Sequence, residues 1–149
     1  PLVRPEFDPA IKLVEKEAAA KNMEVRLDLS EEPPMCFIAP DRFSQCLLNL
    51  YINALQAMGS GGSLTVRSMP DENGSVGVEI GDTGPGIRSE DMAKIFDPYF
   101  TTKPKGTGLG LAIAHKIVED HGGAITVRNA SGGGAVFSIR IPKKQERRD

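Results

Sequence analysis

The sequence predicts an α+β fold in which helices cover one face of a mostly antiparallel β-sheet. Two observations lead to this prediction. The first is a pair of blocks in which a helical pattern of apolar residues leads into the alternating pattern of a strand. The second is a pair of strand–turn–strand signals, with the turns "DENG" at 71–74 and "ASGGG" at 130–134. Helices and hairpins in this order favour a single sheet with a helical layer on it.

Length, composition and charge narrow the classes of function that the chain could have. The chain has 149 residues, about one domain, and 40% of them are hydrophobic and 26% charged, as in ordinary globular proteins. A net charge of −2 leaves no broad basic field for nucleic acid or an anionic membrane. The two cysteines, Cys36 and Cys46, have neither metal-ligand nor disulfide-framework spacing, so we interpret both as small core residues in a reducing compartment.

The first half of the chain is predicted to contain two helices and two strands. Residues 1–7 form an extended segment, and a helix then runs over 8–22 with Asp8 as its N-cap. Strands follow at 23–29 and, more briefly, at 35–39. A second helix, capped by Asp41, continues to Met58 and stops at "GSGG".

The second half is predicted to contain two hairpins separated by two helices. The short helix 89–96 has Ser89 as its N-cap, and the longer helix from 109 ends at Gly122. The predicted strands of the hairpins are 63–68 with 75–82, and 124–129 with 134–142.

The second helix of the first half carries an unusual polar stripe. On a wheel of about 100° per residue, its amide and cationic side chains fall within one sector: Arg42, Gln45, Asn49, Asn53 and Gln56. The rest of its circumference is apolar or small, the reverse of a surface helix. The stripe is either a structural ladder of amides that pairs with loop backbone or the wall of a polar pocket. Neutral amides suit such a wall because their oxygens ligate a hard cation such as Mg²⁺ without adding charge.

The sequence contains two glycine-rich loops. The first follows a predicted strand, and the second precedes a predicted helix. In "GDTGPGI" at 81–87, Gly84 and Gly86 allow close approach to the backbone, and Asp82 can accept a hydrogen bond from an exocyclic amine such as that of adenine. The alternative interpretation of these residues is a turn without a binding role. In "KGTGLGL", glycines run into a helix start, which offers free N–H groups to an anion. This pattern is neither the dinucleotide G-x-G-x-x-G nor a P-loop.

Aromatic residues cluster between these loops. Phe96, Tyr99 and Phe100 lie in "IFDPYFTTKP", beside Lys103 and Lys105. They are either anchors packed on the core or part of a lid that docks over a ligand.

Taken in order, these segments resemble the catalytic, ATP-binding domain of sensor histidine kinases, which has the Bergerat ATP-binding fold. The N box of that family resembles "LLNLYINALQAM", and its G1 box resembles "DTGPGI". Its F box resembles "IFDPYFTTK", and its G2 box resembles "GTGLGLAI". The resemblance runs from about residue 8 to 142 and is strongest to the nitrogen-regulator and zinc-response sensor kinases. It implies a two-layer α/β sandwich with a mixed, mostly antiparallel sheet.

The resemblance also implies a binding site for ATP and Mg²⁺. Asn53 would ligate the metal, with Asn49 nearby, and Asp82 would recognise the adenine amine. Lys103 would reach the terminal phosphates and, with Asn53, would be catalytic. The remaining implied nucleotide contacts are Thr83, Gly84, Gly86, Ile87, Phe96, Phe100, Gly106, Thr107, Gly108, Leu109, Gly110 and Leu111. Many relatives carry a basic residue where Gln56 stands, so a phosphate contact by Gln56 stays open.

The resemblance implies a division of the chain and a set of partners. Residues 1–7 would be a linker from an upstream dimerisation domain that bears the phosphoacceptor histidine, 8–142 the ATP-binding domain, and 143–149 a charged tail. We predict that the lid, about 97–109, is mobile without nucleotide, because its glycines leave few contacts. A homodimer through the upstream domain, a response regulator and a cytoplasmic location would follow, without nucleic acid or membrane contact by this domain.

Two alternatives stay open from the sequence. Bergerat-fold ATPases place a Glu one turn before the metal-binding Asn, where this chain has Asn49, and an amide cannot take a proton from water. A nucleotide-binding regulatory module that never transfers phosphate is the second alternative. The two histidines, His115 and His121, lie on the last helix outside any phosphoacceptor pattern. We therefore expect the chain to bind nucleotide without phosphorylating itself.

Overall fold

The computed structural model describes residues 2–3, 7–30, 36–70, 75–98, 100 and 109–142. Within these ranges the chain forms three helices, α1 (Asp8–Ala20), α2 (Pro40–Met58) and α3 (Gly110–Asp120). The strands are β1 (Leu2–Val3), β2 (Glu24–Asp28), β3 (Cys36–Phe37), β4 (Ser63–Pro70), β5 (Val76–Gly81), β6 (Ala124–Asn129) and β7 (Ala135–Ile141). No helix in the described ranges is long and apolar enough to cross a bilayer.

The main sheet has five strands in the order β2-β4-β5-β7-β6. β2 pairs with β4 in parallel, and the other three pairings are antiparallel. α2 lies in the connection between β2 and β4, as a parallel pair requires. The predicted mixed, mostly antiparallel sheet and both predicted hairpins are confirmed.

Alternating side chains divide the sheet into a buried and an open face. In the central strand β5, Val76, Val78 and Ile80 are each about 1% exposed, whereas Glu79 lies on the opposite face and accepts from Arg128 Nη2 at 3.0 Å. The buried face packs against the helices, and together they form one apolar core. The helices therefore cover one face of the sheet, as predicted, and any site formed with them lies on that side or at its rim.

α3 ends at the glycine that the sequence predicts. The backbone at Gly122 has φ +73°, and its N–H donates to the Glu119 carbonyl oxygen at 2.9 Å. The N–H of Gly123 donates to the Val118 carbonyl oxygen at 3.0 Å. These two bonds form a Schellman motif, which satisfies carbonyls that the helix itself leaves unpaired.

Both predicted aspartate N-caps are wrong. α1 begins at Asp8 and α2 at Pro40, so Phe7 and Ala39 occupy the N-cap positions, and neither makes a side-chain capping bond. Pro40 sets the start of α2 because its fixed φ and missing N–H suit a first helical position, which moves Asp41 into the first turn. At α1 an apolar contact marks the start, since buried Phe7 packs edge-on against a ring of α2.

The predicted helix at 89–96 is also wrong. The segment forms successive β-turns, in which the N–H groups of Asp91, Lys94 and Asp97 each donate to the carbonyl oxygen three residues earlier, at 2.8–2.9 Å. The buried carboxylate of Asp91 accepts from Arg88 Nε at 3.1 Å, which favours this tighter spacing. An eight-residue segment is also short for an α-helix, because helix nucleation is costly.

Candidate functional site

The polar stripe of α2 lies where the sequence predicts it. Most of the apolar side chains around it are buried, whereas Asn49 and Asn53 are half-buried and Arg42, Gln45 and Gln56 are exposed. Gln45 Nε2 donates to Asn49 Oδ1 at 2.9 Å, and Asn49 Nδ2 donates to the Gly110 carbonyl oxygen at 3.3 Å. Asn49 therefore takes part in an amide ladder, which is the structural alternative raised by the sequence, and Asn53 continues the stripe one turn further on.

The bond from Asn49 brings the amide stripe to the first turn of α3. Gly110 is the first helical residue, and Leu109 occupies the N-cap position, from which its carbonyl oxygen accepts from the Ile113 N–H at 2.9 Å. The N-terminus of a helix carries partial positive charge and unpaired N–H groups. Amide side chains and a helix N-terminus thus meet at one place, as a site for a phosphate–metal group requires.

α2 and α3 are joined again at the other end of α3. Arg42 Nη2 donates to Asp120 Oδ2 at 2.9 Å, and this hydrogen bond lowers the pKa of the exposed Asp120 carboxyl. His121 is buried, accepts from the Ala39 N–H at its Nε2 (2.9 Å) and lies 2.7 Å from the Ile117 carbonyl oxygen at its Nδ1. An acceptor Nε2 and a donor Nδ1 define the neutral Nδ1–H tautomer. Its contacts hold two helices together, which is a structural role.

The loop after β5 presents one buried carboxylate. Asp82 is 5% exposed, and its Oδ1 accepts from the Gly84 N–H at 2.9 Å and the Ala135 N–H at 3.3 Å. Its own N–H donates to the Ala135 carbonyl oxygen at 3.0 Å. Within the described part of the chain Oδ2 accepts no hydrogen bond. The protein thus fixes the carboxylate through one oxygen and leaves the second for a donor such as an exocyclic amine.

The glycines of this loop are required by close contacts. A Cβ at Gly84 would lie 3.0 Å from the Ala57 carbonyl oxygen, and a Cβ at Gly86, where φ is +82°, would lie 2.7 Å from Asn129 Oδ1. Thr83 Oγ1 accepts from the Ser63 N–H at 3.0 Å, which ties the loop to β4 as well. The loop over 82–87 is thus held between the C-terminal end of α2 and the β6–β7 hairpin.

Asn129, which sequence reasoning missed, makes the main contact to this loop from the hairpin. Its Oδ1 accepts from the Ile87 N–H, and its Nδ2 donates to the Ile87 carbonyl oxygen, both at 2.8 Å. The two residues are 42 positions apart, so no local pattern relates them. The only sequence signal is an amide at the end of a strand, directly before a glycine-rich turn.

Apolar residues assigned to the site lie at its rim. Ile87, Phe96, Phe100 and Leu111 are partly buried and pack against the core. The Phe96 ring lies 5.0 Å from the His115 ring, between centroids, and 6.1 Å from the Phe137 ring. These positions are compatible with anchors at the ends of a lid. Of the predicted lid at 97–109, residues 99 and 101–108 lie outside the described residues, among them Tyr99, Lys103, Lys105, Gly106, Thr107 and Gly108.

The remaining titratable side chains within the described ranges can be compared with the ligand sets of metal sites. Among the described residues, no group of three or more His, Cys, Asp or Glu side chains could hold a metal ion. A cation bound by an amide oxygen and by ligand phosphates needs no such group. Cys46 is buried, as predicted, and burial raises the pKa of its thiol to about 12, which makes it inert.

The sequence is similar to a known protein family and to sensor histidine kinases. Residues 38–145 match the family described as histidine kinase-, DNA gyrase B- and HSP90-like ATPases. The sensor histidine kinase ZraS of Escherichia coli K12 is 40% identical over 140 residues, which cover 94% of this chain and 30% of ZraS. The chain thus spans about 30% of the length of these curated relatives.

Solved structures agree with the sequence match. The catalytic domain of histidine kinase ThkA, without nucleotide, is 37% identical, with a TM-score of 0.83 over 91% of this chain and 89% of that chain. A structure of ThkA in complex with the response regulator protein TrrA is 34% identical, with a TM-score of 0.78 over 91% of this chain and 38% of that chain.

Proposed function

This chain belongs to the family of histidine kinase-, DNA gyrase B- and HSP90-like ATPases, and on that premise we propose the following activity. It is the catalytic, ATP-binding domain of a two-component sensor histidine kinase. It binds Mg-ATP and donates the γ-phosphate to a histidine on a dimerisation domain of the same full-length protein, which forms a homodimer through that domain.

The observation that carries phosphoryl transfer rather than hydrolysis is the identity and placement of Asn49. Its carboxamide bonds to Gln45 and to the Gly110 carbonyl oxygen, one turn before Asn53. A hydrolase of this family needs a base there to take a proton from water, and an amide cannot do so. Transfer to a histidine depends instead on positioning the phosphates and neutralising their charge.

Each end of the ATP would have its own set of residues. Asp82 Oδ2 would accept from the adenine amine, with Thr83, Gly84, Gly86 and Ile87 shaping that end. Bound Mg²⁺ would supply charge neutralisation at the phosphates, and the amide oxygen of Asn53 fits its preference for oxygen ligands.

The phosphate end would be completed by the lid and the start of α3. Lys103 would reach the terminal phosphates, and Phe96 and Phe100 would anchor the lid. The backbone contacts proposed for the phosphates come from Gly106, Thr107, Gly108, Leu109, Gly110 and Leu111.

The proposal includes two protein partners. The acceptor histidine would come from an upstream domain joined through a linker at 1–7, and the phosphoryl group would pass from there to a response regulator. The structure of ThkA in complex with the response regulator protein TrrA supports the second of these partners by similarity. We expect the domain to act in the cytoplasm.

Calorimetric titration with ATP, with and without Mg²⁺, tests the binding site. We compare the wild type with Asn53→Ala and, as a control, Ser44→Ala, which lies on the same helix outside the amide stripe. Mg²⁺ should strengthen ATP binding to the wild type and the control but not to Asn53→Ala. No ATP binding by the wild type at millimolar concentration would refute the site.

A second experiment tests the reaction. When the chain is mixed with, or fused to, a histidine-bearing dimerisation domain, acid-labile phosphate should appear on that domain. Binding without any transfer would favour the regulatory-module alternative. Steady phosphate release by the chain alone would favour an ATPase.

A further inference from the structure

We infer that Asn129 is a positioning residue for the adenine end of the site, which it sets by clamping the main chain of Ile87. The clamp holds the loop 82–87 at a fixed depth between the β6–β7 hairpin and α2. This inference rests on the proposed function, because it assigns a role in nucleotide binding to a residue that does not itself contact the nucleotide.

The clamp is a pair of hydrogen bonds to one residue. The Ile87 N–H donates to Asn129 Oδ1 and the Ile87 carbonyl oxygen accepts from Asn129 Nδ2, both at 2.8 Å. Only a side chain with a donor and an acceptor side by side can make both bonds, and the carboxamide is the shortest such group. The pair imitates a bridge between two strands at a point where the loop has no strand partner.

Contacts on both sides of the loop make its position depend on the clamp. On the hairpin side, Asn129 Oδ1 occupies the space where a Cβ of Gly86 would stand, at 2.7 Å. On the helix side, the Ala57 carbonyl oxygen lies 3.0 Å from a Cβ built at Gly84. The loop has little room toward α2, so release from Asn129 would let it move toward the hairpin side and change the depth of the pocket.

The same hairpin also orients the carboxylate proposed to read the base. The Ala135 N–H donates to Asp82 Oδ1 at 3.3 Å, and the Asp82 N–H donates to the Ala135 carbonyl oxygen at 3.0 Å. The first end of the loop is therefore fixed by the β7 side of the hairpin and the second end by Asn129 at the end of β6. Loss of the Asn129 clamp would free the second end, so the loop could shift relative to the Asp82 carboxylate and loosen the pocket in which that carboxylate would read the base.

Two substitutions and one control test this assignment. Asn129→Ala removes the carboxamide, and Asn129→Leu keeps its branched shape without either hydrogen-bonding group. Ser131→Ala removes an exposed hydroxyl from the same hairpin turn. For each variant we would measure amide hydrogen exchange at Ile87 by NMR without nucleotide, the Kd for ATP and for GTP, and the melting temperature.

We expect Ile87 exchange to accelerate by about tenfold or more in both Asn129 variants, because the loss of two hydrogen bonds opens the amide to solvent. The Kd for ATP should rise by roughly tenfold and the preference for ATP over GTP should shrink. Ser131→Ala should match the wild type in all these measurements. All titrations are made at a temperature where every variant is folded.

Unchanged Ile87 exchange in the Asn129 variants would overturn the clamp. Faster exchange with unchanged Kd and unchanged ATP preference would overturn the positioning role, leaving Asn129 as part of the scaffold. If the wild type binds no ATP, the proposed function fails and this inference fails with it. If the wild type binds and the variants bind equally well, only this inference fails.

Discussion

Asn49 Nδ2 donates to the carbonyl oxygen of Gly110 at 3.3 Å, and this bond joins the middle of α2 to the first residue of α3. The two helices are connected a second time, at the opposite end of α3, by the Arg42–Asp120 pair at 2.9 Å. The residue one turn before the proposed metal ligand is thus a neutral donor engaged with backbone. The phosphate end of the site is thereby coupled to the helix that follows the lid.

Asn49→Asp tests this coupling with an isosteric change. The variant loses the donor to the Gly110 carbonyl oxygen and places a carboxylate beside it, so we expect the free energy of unfolding to fall by about 1 kcal/mol. The added negative charge should also weaken ATP binding by roughly tenfold. Urea denaturation and calorimetry measure the two effects. Gln45→Ala is the control, because it removes only an exposed bond within α2 and should cost under about 0.5 kcal/mol.

Two substitutions of Asp82 separate its contribution to stability from its proposed role in base recognition. In Asp82→Asn the retained Oδ1 can still accept from the Gly84 and Ala135 N–H groups, so the free energy of unfolding should change by less than about 1 kcal/mol. The preference for adenine should be lost, because an NH₂ donor replaces Oδ2. Asp82→Ala leaves both N–H groups without that acceptor and should cost about 2–4 kcal/mol. Chemical denaturation and titration with ATP and GTP distinguish these outcomes. An Asp82→Asn variant that still prefers ATP would contradict the assigned role.

The sequence predicts the sheet because its signals there are local and repeated. The alternation of Val76, Val78 and Ile80 defines the buried face of β5, and the turn sequences "DENG" and "ASGGG" indicate the two hairpins. The polar stripe of α2 follows from helical periodicity in the same way. The positive φ of Gly122 is predictable too, because the end of α3 needs a left-handed residue.

Tertiary contacts explain what the sequence could not predict. The start of α1 depends on Phe7 packing against Phe43, and Phe7 rather than the adjacent aspartate occupies the N-cap position. The turns at 89–96 depend on the ion pair between the buried carboxylate of Asp91 and the exposed side chain of Arg88. The bonds of Asn129 to Ile87 join residues whose proximity follows only from the assembled sheet. Helix ends and loop supports are therefore determined by packing rather than by local propensity.

The buried Cys46 thiol gives a pH prediction. Burial raises its pKa from 9.0 to about 12, so the folded state keeps the neutral thiol at pH values where the unfolded state ionises. Its contribution to stability is fully present below pH 9 and is lost as the pH rises from 9 toward 12. The free energy of unfolding of the wild type should therefore decrease more steeply over this range than that of Cys46→Ala. Parallel pH profiles for the two proteins would contradict the prediction.

The same burial predicts chemical protection. Thiol reagents at pH 8 should modify Cys46 only at the rate of unfolding, since the thiolate is the reactive form and the side chain is inaccessible. Peptide mapping distinguishes Cys46 from Cys36, and a denatured sample gives the unprotected rate. Labelling of native Cys46 as fast as in that sample would show that the site is open.

Substitution by alanine should have very different costs at two glycines of one turn. Gly134 has φ +90°, and a Cβ there would collide with the Asp82 main chain, whereas a Cβ at Gly132 would meet nothing within 4 Å. Gly134→Ala should therefore cost more than about 2 kcal/mol through backbone strain and displacement of the Asp82 loop, and Gly132→Ala less than about 0.5 kcal/mol. Denaturant unfolding measures both variants. The collision is with the residue proposed to read adenine, so a Gly134→Ala protein that still folds should also bind ATP more weakly than the Gly132→Ala protein. Equal stability and equal ATP affinity in the two variants would show that the hairpin does not hold this loop in solution.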